Sequence, residues 1–287
     1  MHTYKASGTS NDIVPPPVAQ DSRVGILHMK DEEFTESSLR MLYDLNGVIA
    51  STGEPLAGNL FYEHHEESYQ RTPPSPSLRA KRDRFRAAMS GRTRLLEVGV
   101  NGGHSAFLAL ISNPELEFHG VDICEHNYVR PAVDWLRRSF PGRVFFYPGD
   151  SRKVLPQLAN RGSLFDAFHI DGAKFTYFED ICNSQRLLRG GALIVVDDSN
   201  IARVERLWDR CVRWSRIRPT SEFPSMSPSE RYRNQIGELM PATIGGQASF
   251  RLLLPVRRLR WSQPIRLVEP ELRRYLGDVV AWARRRD

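Results

Sequence analysis

Two short stretches carry side chains whose types and spacing could do chemistry together. HIDGAKFTY covers residues 169 to 177, and ALIVVDDSN covers residues 192 to 200. Each begins with a run that reads as a strand and ends in carboxylates: Asp171 in the first, Asp197 and Asp198 in the second. If the two strands are neighbours, their ends lie about 5 Å apart and the three carboxylates converge on one crevice. Carboxylates that close repel one another and raise each other's pKa. A hard divalent cation such as Mg²⁺ removes that cost and takes oxygen ligands of this kind. Such an ion would also lower the pKa of a hydroxyl bound to it. Lys174, three residues after Asp171, could accept the proton if burial and the metal depress its own pKa. His169 titrates as well, and a regular strand points it to the same side as Asp171.

A third stretch, RLLEVGVNGGHSAFLAL (residues 94 to 110), has the shape of a strand, a glycine loop and a helix. In a doubly wound sheet that loop is the usual ligand cradle. A dinucleotide fold would want G-x-G-x-x-G, but counting from Gly99 the required positions hold Asn101 and His104. The G-K-[ST] of a phosphate loop is absent too. What remains is Glu97-x-Gly99-x-x-x-Gly103, an acidic residue beside a glycine loop. It suits a ligand with a cationic part and no phosphate. Asp122 ends the next strand, where a carboxylate can accept hydrogen bonds from ribose hydroxyls. Asp150 and Ser151 follow the third and can reach an adenine edge. A nucleoside with a sulfonium and an amino group meets these demands, and S-adenosylmethionine (SAM) is that molecule.

With ExGxxxG, the Asp closing strand two and Gly149-Asp150-Ser151 in place, the chain from Arg94 to about Trp214 resembles the class I SAM-dependent methyltransferases. The resemblance implies a cofactor site of Glu97, Gly99, Asn101, Gly103, Ser105, Asp122, Asp150, Ser151 and Asp171. Asn101 stands where the family often has glycine. The second half resembles the metal-dependent O-methyltransferases, both the catechol type (D-x-x-K) and the antibiotic-sugar type (IDG and VDD). That resemblance implies Mg²⁺ at Asp171, Asp197 and Asp198, with Asp171 and Lys174 as the catalytic pair and a small-molecule hydroxyl as methyl acceptor. Helix capping by Asp171 and by Asp198 to Asn200 is the competing structural explanation.

These residues need a frame. From Arg94 onward strands alternate with helices: strands at 94–98, 117–122, 143–150, 165–172 and 191–198, and helices after each, the fourth running through FTYFEDICNSQRLLR to a stop at Gly190 and Gly191. The alternation implies a doubly wound α/β fold with a mostly parallel sheet and right-handed crossovers. The resemblance completes it to seven strands, a Rossmann-like core with an N-terminal helical lid and C-terminal additions. Residues 31 to 52 have helical apolar spacing, and TPPSPS (72 to 77) reads as a linker or the lead-in to a helix. After Arg216 the rhythm fails; ASFRLLLPV (248 to 256) reads as a strand and the end of the chain as a basic amphipathic helix. The expected organisation is a disordered segment 1–25, a lid over 26–90, a SAM-binding core over 91–256 and a C-terminal helix over 257–287. Tyr62, Tyr69 and Trp208 are candidate substrate walls, although aromatics of this kind usually belong to a core. His64 and His65 are adjacent and cannot share one cation well; they fit the lid better.

The 287 residues, with 40% hydrophobic and 26% charged, describe an ordinary globular protein. No apolar run is long enough for a membrane span, and the N-terminus carries no apolar secretion signal. Three distant cysteines (Cys124, Cys182, Cys211) fit free thiols in the cytoplasm. The net charge of +6, concentrated in C-terminal arginines, raises nucleic acid as a partner. A nucleic-acid or other N-methyltransferase using the same fold without metal is the alternative function. Base N-methylation would call for [ND]-P-P-[YF] after strand four, where IDGA stands, and no cysteine is placed for attack on cytosine. A homodimer is compatible with the terminal additions.

Overall fold

The computed structural model describes residues 33–63, 69–223, 226–227, 230 and 232–240. The expected disordered N-terminus, His64 and His65, the strand at 248–256 and the C-terminal helix lie outside the described residues.

Two helices precede the sheet. α1 (Glu36–Ala50) opens on Thr35, whose hydroxyl accepts from the Ser38 amide, and buries Leu42, Leu45 and Ile49 at helical spacing. A 3₁₀ turn at Pro76–Leu78 leads into α2 (Arg79–Met89), so TPPSPS is the lead-in to a helix. The fully buried Arg82 ties this region together. Its guanidinium grips Glu33 in a bidentate pair at 2.5 and 2.6 Å and donates to the carbonyls of Leu60 and Ser75.

The sheet holds β1 (Arg94–Val98), β2 (Glu117–Asp122), β3 (Val144–Pro148), β4 (Phe165–Ile170), β5 (Leu188–Val196), β6 (Ile217–Pro219) and β7 (Gln235–Leu239). Their order is β3-β2-β1-β4-β5-β7-β6, with β7 antiparallel to both neighbours and the other pairs parallel. The chain reverses direction across the sheet at β1, so the loops after β1 and β4 face each other at the switch point where such sheets bind ligands. Connecting the strands are α3 (His104–Ser112), α4 (Val129–Ser139), α5 (Ser151–Asn160), α6 (Tyr177–Ser184) and α7 (Ala202–Arg213). Side-chain alternation divides the core in two. Leu95, Phe118, Ala167 and Val195 face α1 to α4, while Leu96, Phe168, Ile170 and Ile194 face α5 to α7.

Two readings of the sequence need correction. The fourth helix stops at Ser184, because Leu187 and Leu188 are needed in the core and Leu188 already pairs with Phe165. The glycines do not end a helix; Arg189, Gly190 and Gly191 bulge out of β5, exposed, before Ala192 resumes the strand. β6 and β7 lie on either side of a Pro/Ser-rich stretch, and neither shows in the local pattern, since one has three residues and the other begins directly after that stretch.

α1 is fastened to the core by a buried polar chain. Asn46 donates to the Tyr62 hydroxyl and the Tyr69 carbonyl, and its Oδ1 accepts from His104 Nε2 at 2.9 Å. Tyr62 and Tyr69 are thus core residues, not walls of an open pocket. Burial pushes His104 down to about 3, so the folded protein keeps it neutral. Below about pH 6.5 the unfolded chain takes up a proton that the folded state refuses. Its contribution to stability therefore falls as pH drops from about 6.5 toward 3, by roughly 1.4 kcal/mol per unit for one group. His104→Gln keeps a donor for Asn46 and removes the titration. Urea unfolding at several pH values should find it less stable than wild type at pH 7.5, with the gap closing at pH 5.

Candidate active site

The C-terminal ends of β1, β2, β4 and β5 open onto one crevice. Among the described non-glycine residues with positive φ, three of four sit there: Asn101 (52°), Cys124 (61°) and Asp198 (54°). Held-back backbone of this kind gathers at functional sites.

The glycine loop is built as the sequence implied. Gly99 has φ 92°, and a Cβ there would stand 2.5 Å from the Asp171 carbonyl oxygen and the Gly172 nitrogen. Only glycine lets the loop after β1 lie against the loop after β4. Asn101 takes the left-handed backbone that asparagine tolerates, which explains how it can occupy a glycine-like position. Its amide donates to the carbonyls of Ala57 and Gly58, and its Oδ1 accepts from the Tyr128 hydroxyl at 2.6 Å. The stretch that follows α1 therefore crosses the loop, held further by Glu54 on His126 and on the Asn127 amide.

Asp122 accepts from the Asn101 amide at 2.9 Å and from the Cys124 amide at 2.7 Å, bridging the loops after β1 and β2. Ile123, beside it, leaves 65% of its side chain exposed, an apolar face that a purine could cover. Glu97 and Ser105 lie deeper. Glu97 is fully buried, with one oxygen accepting from Ser105 Oγ at 2.8 Å and the other 2.7 Å from His169 Nδ1. It organises the loop from beneath. Asp150 caps α5, bonding the Arg152 amide and guanidinium, and Ser151 bonds Asp180. Those two side chains are engaged within the fold.

Strand parity sets Glu97, His169 and Asp197 on the face covered by α2, with Glu97 and His169 directly paired across β1 and β4. Asp171 joins them; its ligand atoms and those of His169 and Asp197 lie within 4.8 Å of one another. Asp198 is turned outward beside Asp171. Two lysines complete the cluster. Lys174 Nζ sits 2.6 Å from Asp198 Oδ2 and 3.2 Å from Asp171 Oδ1. Lys81, on α2, sits 2.7 Å from Asp197 Oδ1 with its side chain only 6% exposed. Nothing in the motif pattern marked Lys81, yet the signal exists. The buried positions of α2 are 81, 82, 85, 88 and 89, so Lys81 and Arg82 occupy places on an otherwise apolar stripe.

These contacts set the charges. Burial and Asp197 push the Asp171 carboxyl up to about 7 against the pull of Lys174 and Lys81. The side chain keeps 32% exposure, so solvent tempers that rise. Burial opposes charge on Lys174, Lys81 and His169, but the carboxylates outweigh it and all three are raised. Burial likewise pushes Asp197 up, and Lys81 and His169 more than reverse it. The depressed Lys174 that proton abstraction would want is not what this crevice produces.

Mg²⁺ does not fit these residues as they stand. All three expected carboxylate ligands already bond an ammonium group. Among the described residues, the donor group whose ligand atoms lie within 4.8 Å of one another takes an imidazole, His169, as its third member, whereas Mg²⁺ wants oxygens. SAM does fit: the glycine cradle, the Asp122 carboxylate and the apolar Ile123 supply what its parts need.

Residues 96–199 match the family model of a methyltransferase domain. Over those residues, and in its sheet order, the chain is similar to the class I SAM-dependent methyltransferases. Solved structures share the fold. An O-methyltransferase from Bacillus cereus, in complex with SAH, is 17% identical with a TM-score of 0.54, over 73% of this chain and 93% of that one. The O-methyltransferase TomG from Streptomyces achromogenes, in complex with SAM, is 18% identical with a TM-score of 0.51, over 73% and 92%. Cofactor-bound Rv0187 from MTB is 20% identical with a TM-score of 0.54, over 71% and 91%. No curated protein sequence matches the chain.

A separate cavity of about 360 Å³ is lined by Arg84, Trp208, Phe223, Gln235 and Ile236, and none of the strand-end carboxylates lines it. Gln235 pairs with Val196, the residue before Asp197. Trp208 is therefore a core residue with a face on that cavity. No described helix is long and apolar enough to cross a membrane. Because the Gly99 clash is with backbone, it cannot be relieved by a rotamer change. Gly99→Ala should cost about 2 kcal/mol or more in a urea titration and weaken SAM binding measured calorimetrically.

Proposed function

We propose that the protein is an O-methyltransferase that moves the methyl group of SAM to a hydroxyl of a small molecule. The reading is carried by the abutment of the cofactor loop, at Gly99, on the backbone of Asp171. A methyl donor on that loop and an acceptor in the crevice would meet at a carboxyl tuned near neutrality. The O-methyltransferase structures that share the fold support the same chemistry.

When bound, SAM supplies an electrophilic methyl on a sulfonium sulfur, which leaves as a neutral thioether. Asp122, Gly99 and the Asn101 backbone would hold it, with Ile123 beneath its purine. The chain's own part is to position and deprotonate the acceptor. The Asp171 carboxylate accepts the hydroxyl proton as the oxygen attacks. Lys174, fixed by Asp198, stays protonated and steadies the developing negative charge. This exchanges the roles that the sequence suggested: Asp171 is the base and Lys174 the electrostatic partner. Phe175, 66% exposed just beyond Lys174, offers an apolar rim to an aromatic or sugar-bearing acceptor. The cation expected from the resemblance has no part in this mechanism.

Calorimetry should detect SAM binding, and Asp122→Ala should weaken it by about 1–3 kcal/mol, roughly five- to 150-fold. Absence of binding by wild type would end the proposal. In a methyl-transfer screen over hydroxyl-bearing small molecules, the rate should rise with pH through about 7 and then level, as the Asp171 carboxyl ionises. Asp171→Asn should abolish that limb together with most of the rate. A limb that survives Asp171→Asn and lies at alkaline pH would restore Lys174 as the base.

A further inference from the structure

We infer that the resident cation of this carboxylate cluster is the ammonium of Lys81, standing where a divalent metal ion would otherwise be required. The inference rests on the reading of the crevice as the methyl-transfer site. It departs from what the likeness to metal-dependent enzymes leads one to expect.

Four carboxyl groups, Glu97, Asp171, Asp197 and Asp198, gather within a few residues of three strand ends. Buried carboxylates persist only if something positive compensates them. Here the chain supplies it. Lys81 enters from α2 and bonds Asp197 at 2.7 Å, with both side chains nearly inaccessible at 6% and 2%. Lys174 closes the outer side on Asp198 and Asp171. His169 is committed to Glu97 through Nδ1 and has the Phe85 ring packed against it with centroids 4.9 Å apart. Phe85 lies one turn from Lys81 on the same helix face, so one helix both delivers the ammonium and covers the imidazole.

A divalent ion that took Asp197 Oδ1 would have to expel Lys81. The displaced ammonium would be left buried, since α2 cannot move away while Arg82 holds Glu33, Leu60 and Ser75. An uncompensated buried charge is among the most costly defects a fold can carry. A fixed ammonium also differs from a metal in function. It neutralises Asp197 without offering open coordination positions, so it cannot itself bind the acceptor oxygen. Lys81 is accordingly a positioning residue that acts through Asp197.

The test is Mn²⁺ binding to the full-length protein, followed by electron paramagnetic resonance with SAM present. Wild type should leave Mn²⁺ free, and SAM binding should be the same in chelator as in Mg²⁺. Lys81→Met should create a stoichiometric Mn²⁺ site that Asp197→Asn removes, while Lys81→Arg should behave as wild type. Stoichiometric Mn²⁺ binding by wild type, lost on Asp197→Asn, would overturn the inference even if the Lys81→Met protein fails to fold. A folded Lys81→Met protein that takes up no Mn²⁺ would overturn it as well. Failure of wild type to bind SAM under any condition would instead count against the methyltransferase reading, leaving the Mn²⁺ result to be judged by itself.

Discussion

Parallel pairing of β1, β4 and β5 forces Glu97, His169 and Asp197 onto one covered face of the sheet. That is the constraint on which the surrounding structure depends. The strand ends that must carry acid groups for a ligand are also the strand ends that α2 seals from water. Each carboxyl group therefore needs a partner inside the protein. Glu97 takes Ser105 and His169, Asp197 takes Lys81, and Asp171 and Asp198 share Lys174. The position of α2 follows from this requirement, and the bidentate grip of Arg82 on Glu33 keeps it there.

The same economy governs the cofactor side. A single carboxylate, Asp122, holds two loops by accepting their amides, and the loops in turn present Gly99 and Ile123 to the crevice. Left-handed residues at Asn101, Cys124 and Asp198 turn the chain sharply after three strands and let the loops pack without a long excursion. The stretch after α1 then crosses the glycine loop through Asn101 and Tyr128, so the N-terminal helices help to shape both halves of the crevice.

The sheet was legible because its signals are local: apolar runs of strand length, turn residues at their ends, amphipathic helices between them. β6 and β7 were not, since a three-residue strand leaves no period to detect. Leu187 and Leu188 suit a continuation of the fourth helix locally, and only pairing with Phe165 decides otherwise. In the crevice, Gly99, Asp122, Asp171, Asp197 and Asp198 announced themselves by standing at strand ends. Their partners did not. Lys81 lies far from Asp197 in sequence, and only folding reveals that a lysine on an apolar stripe meets an acid on a distant strand. Asp150 and Ser151 show the reverse case, where a strand-end motif is also an ordinary helix cap.

The Lys81–Asp197 pair joins the helix before the first strand to the end of the fifth. Contacts between such distant parts of a chain are costly to close early, because the intervening loop must lose its freedom first. A cluster held together by this pair cannot mature while β5 is still finding its place. During synthesis the lysine is made long before the acid it neutralises, and until then it stays in water. The order of manufacture thus favours a crevice that becomes competent only when the last parallel strand is in the sheet, so a chain arrested short of β5 would carry much of the cofactor loop and none of the chemistry.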